Sequence, residues 1–485
     1  MEVDSKNGAW MSKSLKRTLF AVGGFMGLLI LCSVAVFYFV DASAYKPWVE
    51  RAASKALGMD LHVAGRLRIS FLPDLHVQLD DVLLRNRGMV IASAEEVNLG
   101  IALLPMLHKE VRIRRIRLKH PRISIVCNRD GKFNFEKRKE STGKLFAPVL
   151  DDLSLTDGVF LYRDESSGAD FVVENFNLDM RSLRLSGGNK AERLKNLSFD
   201  AELSCREIRT KGLLFSDVKT TCQGKDGIFT LKPLTMNFFG GQGVSSIVAD
   251  FSGPVPRYFV RSTLSKFRIE EYLKTGSSKK VAAGVMDFSA TLSMQGSTAK
   301  EIKQSAEGVA SLRGKNLTLY GRDLDREFAR YESSQNFNLV DAGAFFFAGP
   351  IGLAVTKGYN FVSIAQGSGG SNNIRELLAE WTLAGGVAQA KDVAMATKQN
   401  RVALQGRINF VKERFDDVTI ALIDAQGCVR VEQKLRGTFQ KPLVEKPNIL
   451  MTLAGPTINL FKQTRDFLTG GKCKLFYTGS VEAPQ

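Results

Sequence analysis

The chain has 485 residues, of which 44% are hydrophobic and 24% are charged, and it contains 43 glycines. A chain of this length and apolar content is large enough for one or more packed cores, and its composition is not that of a disordered protein. The formal net charge of +17 suits binding either to nucleic acid or to an anionic membrane surface. Charge alone therefore does not choose between these two partners.

An uncharged apolar run, TLFAVGGFMGLLILCSVAVFYFV, occupies residues 18–40. At 1.5 Å per residue, it is long enough to cross a hydrocarbon layer of about 30 Å. Basic residues precede it, so residues 1–17 are predicted to form a cytoplasmic tail and the rest of the chain to lie across the membrane. The alternative is a signal peptide cleaved near residues 42–44, although the run exceeds the roughly 7–15 apolar residues usual there. Both interpretations export most of the chain, which excludes nucleic acid and leaves anionic lipid as the partner.

A short helix is predicted at residues 46–58, where the apolar residues have helical spacing and Gly58 provides a stop. From Leu61 onward the hydrophobic period changes to two, which is typical of strands. The odd-numbered apolar residues of this alternation are Leu67, Ile69, Phe71, Leu75, Val77, Leu79, Val97, Leu99 and Ile101.

A basic stretch follows at residues 109–122. Val111 and Ile113 are out of phase with the next apolar pair, Ile116 and Leu118, which predicts a β-bulge near residues 114–115. The cations either form the solvated face of a strand or contact anionic lipid headgroups. The candidates for headgroup contact are Arg112, Arg114, Arg115, Arg117 and Lys119.

A hairpin is predicted at residues 119–135, KHPRISIVCNRDGKFNF, because apolar residues alternate on both sides of the turn residues 128–131. Strand-like alternation continues to the end of the chain. Helical spacing is confined to short segments, at residues 269–274, 300–306, 323–331, 374–381 and 461–468.

The predicted fold class is mainly β: one N-terminal transmembrane helix, then an elongated, curved antiparallel sheet with a few short helices. A sheet with one apolar face must cover that face with helices, with a second sheet, or with something that is not protein. The periodicity leaves two possibilities open. One is a sandwich or barrel filled by its own core, and the other is a sheet whose apolar face forms a groove for acyl chains.

Catalytic and metal-binding motifs are missing from the sequence. The four histidines have no cysteine or acidic partner at metal-ligand spacing. There is also no nucleophile elbow, Walker loop or dinucleotide-binding fingerprint. We therefore expect a protein that is not an enzyme and that needs no cofactor.

Six cysteines are present, and Cys32 lies inside the apolar run. The other five are expected in an oxidising compartment, where disulfides form and an odd count leaves one thiol over. We predict one disulfide between Cys428 and Cys473. We predict a second between Cys205 and Cys222, whose strands are expected to be neighbours.

Residues 64–135 resemble the N-terminal signature of the AsmA family. That signature combines a G-x-L…P-x-L strand pair, an acidic and asparagine turn, an L-x-P-L-L-like step and an L-x-x-P-x-I…D-G-x-x-N-[WF] hairpin. The matching residues are Pro73, Asn86, Pro105, Leu107, Pro121, Asp130, Gly131 and Asn134. Residues 233–243, 311–325 and 472–484 are similar to later blocks of the family. The chain departs from the family at Phe135, where many members have Trp, and in its short length.

The resemblance implies an inner-membrane protein of a Gram-negative bacterium, related to chorein-type bridge proteins, with its bulk in the periplasm. It implies an N-terminal β region at residues 41–140, a middle β region at 141–282 and a C-terminal region at 283–485. The nine odd-numbered residues would line a groove for phospholipid, and the protein would contribute to the lipid homeostasis of the outer membrane. The alternative function is a non-enzymatic assembly or scaffold factor that pairs an exposed sheet edge with an outer-membrane or periplasmic protein.

Overall fold

A computed structural model describes residues 42–70, 75–102, 112–136, 149–185, 190–275, 281–321, 323–334, 346, 370–445 and 473–484. The chain divides into two compact units: unit 1 is Met1–Pro121 with Asn134–Leu145, and unit 2 is Arg122–Phe133 with Phe146–Gln485. Both consist mainly of strands, so the predicted class, mainly β, is confirmed. The predicted membrane segment, residues 18–40, lies outside the described ranges. Within those ranges no helix is long and apolar enough to cross a membrane.

The described part of unit 1 contains one α-helix and five strands in antiparallel pairs. They are α1 (Lys46–Leu57), β1 (Asp60–Val63), β2 (Leu67–Ser70), β3 (Leu75–Asn86), β4 (Met89–Ile101) and β5 (Ile113–Lys119). Strands β1 and β2 both pair with β3, which pairs with β4, which pairs with β5. Helix α1 ends at Gly58, whose φ of 69° is a conformation that glycine adopts without a steric penalty, and this confirms the predicted helix and its stop.

Strand β5 contains the predicted bulge. Gly100 of β4 lies opposite Arg115, whereas the next residue, Ile101, lies opposite Ile113. Arg114 is therefore the extra residue of β5. The insertion returns Ile113 and Ile116 to the same face of the sheet, which explains the change of phase in the sequence.

Unit 2 contains the other 17 strands found in the described ranges. They are β6 (Arg122–Cys127), β7 (Val149–Asp164), β8 (Ala169–Leu185), β9 (Leu197–Thr210), β10 (Leu213–Lys225), β11 (Ile228–Phe238), β12 (Gly241–Asp250), β13 (Arg257–Arg268), β14 (Ala282–Ala283), β15 (Val285–Gln295), β16 (Glu307–Tyr320), β17 (Ser371–Ala384), β18 (Val387–Ala396), β19 (Arg401–Asn409), β20 (Arg414–Ile423), β21 (Val429–Thr438) and β22 (Pro442–Val444). Successive strands from β7 onward pair antiparallel, except that β13 pairs with β15 and the short β14 pairs with β16. Strand β6 pairs with β7 in parallel, which corrects the expectation of a wholly antiparallel sheet.

The hairpin predicted at residues 119–135 is reduced to one strand and a turn. Asn128 closes the turn by accepting hydrogen bonds from the backbone N–H groups of Asp130 and Lys132, at 3.1 and 2.8 Å. The second arm amounts to a single bridge between Cys127 and Phe133. All six residues of β6 pair instead with the 16-residue β7, which offers a longer ladder of hydrogen bonds than the short arm.

The short helices of unit 2 fall largely where helical spacing predicts them. Within the described ranges they are α2 (Lys190–Lys195), α3 (Ile269–Leu273), α4 (Ala299–Gln304) and α5 (Leu324–Ser334). Helix α2 was not predicted, and residues 461–468 lie outside the described ranges. The helix predicted at residues 374–381 is wrong, because this segment lies in β17. Leu377 and Trp381 belong to one buried cluster and Leu378 to another, so the strand is apolar on both faces and its period of two is hidden.

The largest core lies on one face of the C-terminal strands. Trp381 of β17 is fully buried there with Phe328 and Leu324 of α5 and with Ile269 of α3. These two helices therefore cover the sheet on this side. A fully buried tryptophan and phenylalanine bury about 150–250 Å² each, so this cluster is the main apolar core of unit 2.

The opposite face of the C-terminal strands is covered by residues 473–484. Phe476, Tyr477 and Val481 from this tail pack on a second cluster, which includes Ala394 and Ala403. A disulfide between Cys428 and Cys473, the first predicted pair, joins the tail to the sheet, with the two Cα atoms 5.6 Å apart. Hydrogen bonds from Arg401 to the carbonyl oxygen of Val481 (2.9 Å) and from Gln405 to that of Phe476 (2.5 Å) hold the tail further along.

Removing the disulfide is expected to destabilise the C-terminal strands. The bond closes a loop with a sequence separation of 45, and closing a loop of this size stabilises by about 2–4 kcal/mol. The double variant Cys428→Ser/Cys473→Ser should lose about that much free energy of unfolding in urea titrations of the full-length protein in detergent. Cys222→Ala, which removes a free and half-buried thiol, is the matched control. Equal stability of the double variant and the oxidised parent would contradict this role.

Candidate functional site

The apolar residues predicted for a groove lie on one face of the unit 1 sheet. Together with Ile113, Ile116 and Leu118 of β5, which were not predicted for the groove, they form three rows across the strands, in which each residue lies opposite the next. The rows are Leu67, Leu79, Val97 and Leu118; Ile69, Val77, Leu99 and Ile116; and Leu75, Ile101 and Ile113. Phe71 lies outside the described residues. The register therefore brings together eight of the nine odd-numbered residues.

The first of these rows is partly a protein core. Leu67 and Leu79 are buried with Val63 and Val82, and Ile69, Val77 and Val97 pack against this cluster. Leu99 and Ile101 are half-buried and belong to none of the buried clusters. The face thus grades from a closed core at β2 and β3 to a partly open surface at β4.

The basic residues of β5, and Arg112 just before it, lie on the polar side of unit 1. Arg112, Arg114, Arg115, Arg117 and Lys119 are all exposed. Lys119 forms an ion pair with Glu96 at 3.1 Å, and Arg68 forms another with Asp80 at 2.9 Å. Exposed ion pairs of this kind contribute at most about 1 kcal/mol each. This surface is therefore cationic and hydrated, and its ion pairs contribute little to the stability of the fold.

A longer apolar row crosses unit 2, and we name it the apolar floor. Eight residues on eight successively paired strands lie directly opposite one another. They are Leu153, Met180, Ala201, Cys222, Leu231, Ile247, Val260 and Leu292. At about 4.8 Å between neighbouring strands, the row follows the sheet for about 34 Å. That is more than the hydrocarbon thickness of one bilayer leaflet, about 15 Å.

The apolar floor is only half covered. Ala201 is buried, and the other seven side chains are half-buried. None of the eight belongs to the buried clusters formed by the described residues. The backbone groups beneath them are paired in the ladders between strands, so the surface presents side chains and few free polar groups. A half-covered apolar row of this length is typical of a binding surface.

Small polar side chains next to the floor form hydrogen bonds with neighbouring side chains or with the backbone. In the adjacent row, Ser245 and Ser262 form a hydrogen bond between their hydroxyl groups at 2.8 Å. Thr220 donates to the backbone carbonyl oxygen of Thr221 at 3.2 Å. Because these hydroxyls already have partners, an apolar molecule lying over them would leave no polar group newly unpaired.

Aromatic rings border the floor on its other side. The centroids of Phe199 and Phe229 are 6.1 Å apart, and Phe251 meets Phe229 edge to face at 5.7 Å. Gly224 lies opposite both Phe199 and Phe229, and a Cβ atom there would come within 2.6 Å of the Phe199 ring. Glycine at this position therefore allows the two rings to lie over the sheet.

The reverse face of the same strands is mixed, with exposed polar residues on β8–β10 and the exposed apolar residues Val244 and Phe259 on β12 and β13. The neighbouring row carries Arg181, Asp200 and Gln223, which are exposed, and Gln223 donates to Asp200 at 3.0 Å. Among the described residues, no group of three or more His, Cys, Asp or Glu side chains is placed to hold a metal ion. The unbroken apolar row lies on the floor side, which is therefore the candidate site.

Comparison with known families agrees with the resemblance seen in the sequence. The model of the AsmA family matches residues 11–187 and 165–331, which together span well over half of the chain. The chain belongs to the AsmA family. No curated protein and no solved structure matches it significantly. The two matched segments of this AsmA-family chain include the eight strands of the apolar floor.

The sequence predicted strands in this part of the chain but did not assign the residues of the apolar floor to a groove. The signal was present in β9, where Phe199, Ala201, Leu203 and Cys205 alternate with polar residues. Register across eight strands is needed to align such short runs into one row. That register depends on bulges, and a single-strand period does not reveal it.

The second predicted disulfide does not form. Cys205 and Cys222 are on neighbouring strands of the AsmA-family sheet, as expected, but Cys205 lies opposite Val218 and Cys222 opposite Ala201. Four residues along a strand separate the two positions by about 13 Å. A disulfide requires Cα atoms closer than about 7 Å, so both thiols remain free.

Both free thiols are expected to react slowly with alkylating agents. Burial raises the pKa of the Cys205 and Cys222 thiols, so less of the reactive thiolate is present at neutral pH than in an unfolded cysteine. Iodoacetamide labelling of the native protein should be slow at pH 7, should accelerate as the pH rises, and should become fast at pH 7 after unfolding in urea. Peptide mass mapping measures each site separately. Equal rates in the native and unfolded states would contradict this prediction.

Proposed function

We propose that this protein is a non-enzymatic, inner-membrane-anchored periplasmic protein that binds phospholipid acyl chains on its apolar floor and transfers phospholipid between the inner and outer membranes. The observation that carries the proposal is the half-covered row of eight apolar side chains across unit 2. AsmA family membership supports it at the level of the family. The uncharged run at residues 18–40 supports the anchor.

The free-energy balance favours such a role. Covering apolar surface contributes about 25 cal/mol for each Å², and acyl chains provide that cover without requiring a particular hydrogen-bond geometry. Because the floor repeats on every strand with little polar interruption, an acyl chain has no single preferred position along it. A carrier needs this uniformity, since a deep local minimum would slow release.

The basic strand β5 supplies a second element of the proposal. Each Lys or Arg close to an anionic lipid surface contributes about 1 kcal/mol to binding. We propose that the exposed cations of β5 contact anionic headgroups. This contact would be sensitive to salt, whereas acyl-chain binding on the floor would not be.

Site-specific photo-crosslinking tests the floor. Benzoylphenylalanine at Leu231 or Ile247 should capture phospholipid in cells, because these side chains belong to the apolar floor. Thr230 and Val248 are the matched controls: they are also half-buried, they lie next in sequence, and they point to the opposite face. Mass spectrometry of the crosslinked product identifies what was captured. We expect phospholipid at the first two positions and little at the controls.

Other results of this experiment would favour other functions. A captured polypeptide at Leu231 or Ile247 would favour the scaffold function. Equal lipid capture on both faces would contradict the floor as the binding surface. The variant Ile247→Asp should abolish lipid capture from Leu231 while the protein stays folded, because a carboxylate on a half-covered surface stays hydrated but repels acyl chains. Val248→Asp is its control and should leave capture unchanged.

A further inference from the structure

Helix α1 holds the outer edge of β1 in unit 1. Among the described strands β1 pairs only with β3, so its other edge presents backbone N–H groups. Ser54 Oγ accepts a hydrogen bond from the Leu61 N–H at 2.9 Å, and Glu50 Oε1 accepts one from the Val63 N–H at 2.7 Å. The helix thereby takes the place of a neighbouring strand and protects the sheet edge.

The face of α1 that meets the sheet is therefore largely polar. Lys46, Glu50 and Ser54 lie four residues apart on this face, and Lys46 donates to the backbone carbonyl oxygen of Gly65 at 3.3 Å. Val49 is the apolar residue that α1 contributes to the cluster around Val63. This arrangement is the reverse of an ordinary surface helix, which turns its apolar stripe toward the protein.

The outward face of α1 carries a stripe of apolar residues. Trp48, Ala52 and Ala56 follow one another at the same four-residue spacing, and all three are exposed. Trp48 is 61% exposed, and Tyr45, just before the helix, is 53% exposed. No residue of α1 is buried, so nothing in the described part of the chain covers this stripe.

Two exposed cations accompany the stripe. Arg51 and Lys55 lie beside Ala52 and Ala56 on the solvent side of α1. The helix also begins six residues after the apolar run at residues 18–40. An aromatic and aliphatic stripe with basic residues beside it is the chemistry of a helix that lies in a membrane interface.

We propose that α1 lies flat in the headgroup region of an anionic phospholipid membrane. Trp48, Ala52 and Ala56 face the acyl chains, and Arg51 and Lys55 contact phosphate groups. Each cation strengthens association with an anionic surface about fivefold. The inference rests on the membrane anchoring in the proposed function but not on lipid transfer. Its consequence is that the membrane surface also fixes β1, because α1 is bonded along the edge of that strand.

Depth-dependent fluorescence quenching distinguishes a flat helix from an upright one. The full-length protein with Trp10→Phe is reconstituted into phosphatidylglycerol-containing vesicles whose lipids carry bromine near the carbonyl groups. Trp381 stays in place as an unquenched baseline, since it is 1% exposed. One sample keeps Trp48, a second carries Trp48→Phe with Ala56→Trp, and a third carries Trp48→Phe alone as the blank.

A flat helix predicts bromine quenching of Trp48 and of the tryptophan at position 56 that agrees within about twofold. An upright helix would separate positions 48 and 56 by about 12 Å along the axis, and quenching at position 56 would be lost. Loss of quenching at position 56, or shielding of Trp48 by a second protein copy, would overturn the proposal. A protein that floats with vesicles but shows no quenching contradicts this inference alone. A protein that does not float contradicts the anchor as well.

Charge reversal tests the headgroup contact. Arg51→Glu with Lys55→Glu should lower quenching at position 56 at least about threefold in anionic vesicles and leave it unchanged in neutral ones. Lys211→Glu with Lys225→Glu, which reverses two exposed charges at turns of unit 2, is the matched control. An equal effect of both pairs would show that net charge, and not the position of α1, is responsible.

Discussion

A strand turns alternate side chains to opposite faces, so each sheet in this molecule has a face that must be covered. The C-terminal strands β17–β21 meet this constraint on both sides, with helices on one face and residues 473–484 on the other. The apolar floor of β7–β15 receives no such cover from the described residues. The fully covered apolar core and the half-covered apolar row thus lie in different parts of the same run of strands.

The polar groups of the sheet form hydrogen bonds with their neighbours, so no side chain from elsewhere in the described chain has to cross the apolar floor to pair with them. Ser245 and Ser262 bond to each other, and the ladders between strands pair the backbone beneath. Where a strand edge would remain open, at β1, side chains of α1 accept its N–H groups. An open apolar surface beside unpaired backbone would invite pairing with other chains, so closing the edge limits the exposed surface to side chains.

The sequence was informative wherever one residue or one short period decides the structure. Gly58 ends α1, and the change of phase between Ile113 and Ile116 locates the bulge. It failed where the deciding contact lies far along the chain. The segment at residues 374–381 resembles a helix only because both faces of β17 are buried, the second of them under Phe476 and Tyr477 about a hundred residues later.

The sequence also did not reveal distances between residues on neighbouring strands, because these depend on the register of strand pairing. Cys205 and Cys222 occupy adjacent strands and the same face, yet they are four positions out of alignment. The apolar floor needs eight strands in register, and bulges such as the one between Ser216 and Lys219 shift that register within a strand. Alternation therefore predicted which face a residue occupies within its own strand, whereas the partner across the strands came only from the assembled sheet.

The tail that covers β17–β21 has a consequence for the order of biosynthesis. Strand β21 ends at Thr438, whereas the covering residue Tyr477 follows 39 positions later. At about 5–20 residues per second, ribosomes need roughly 2–8 s to make the intervening chain. During that interval Ala394, Ala403 and Val429 belong to a sheet whose second face is still bare. A nascent chain is therefore vulnerable to self-association at this stage, and a chaperone that recognises apolar strands would have an opportunity to bind here.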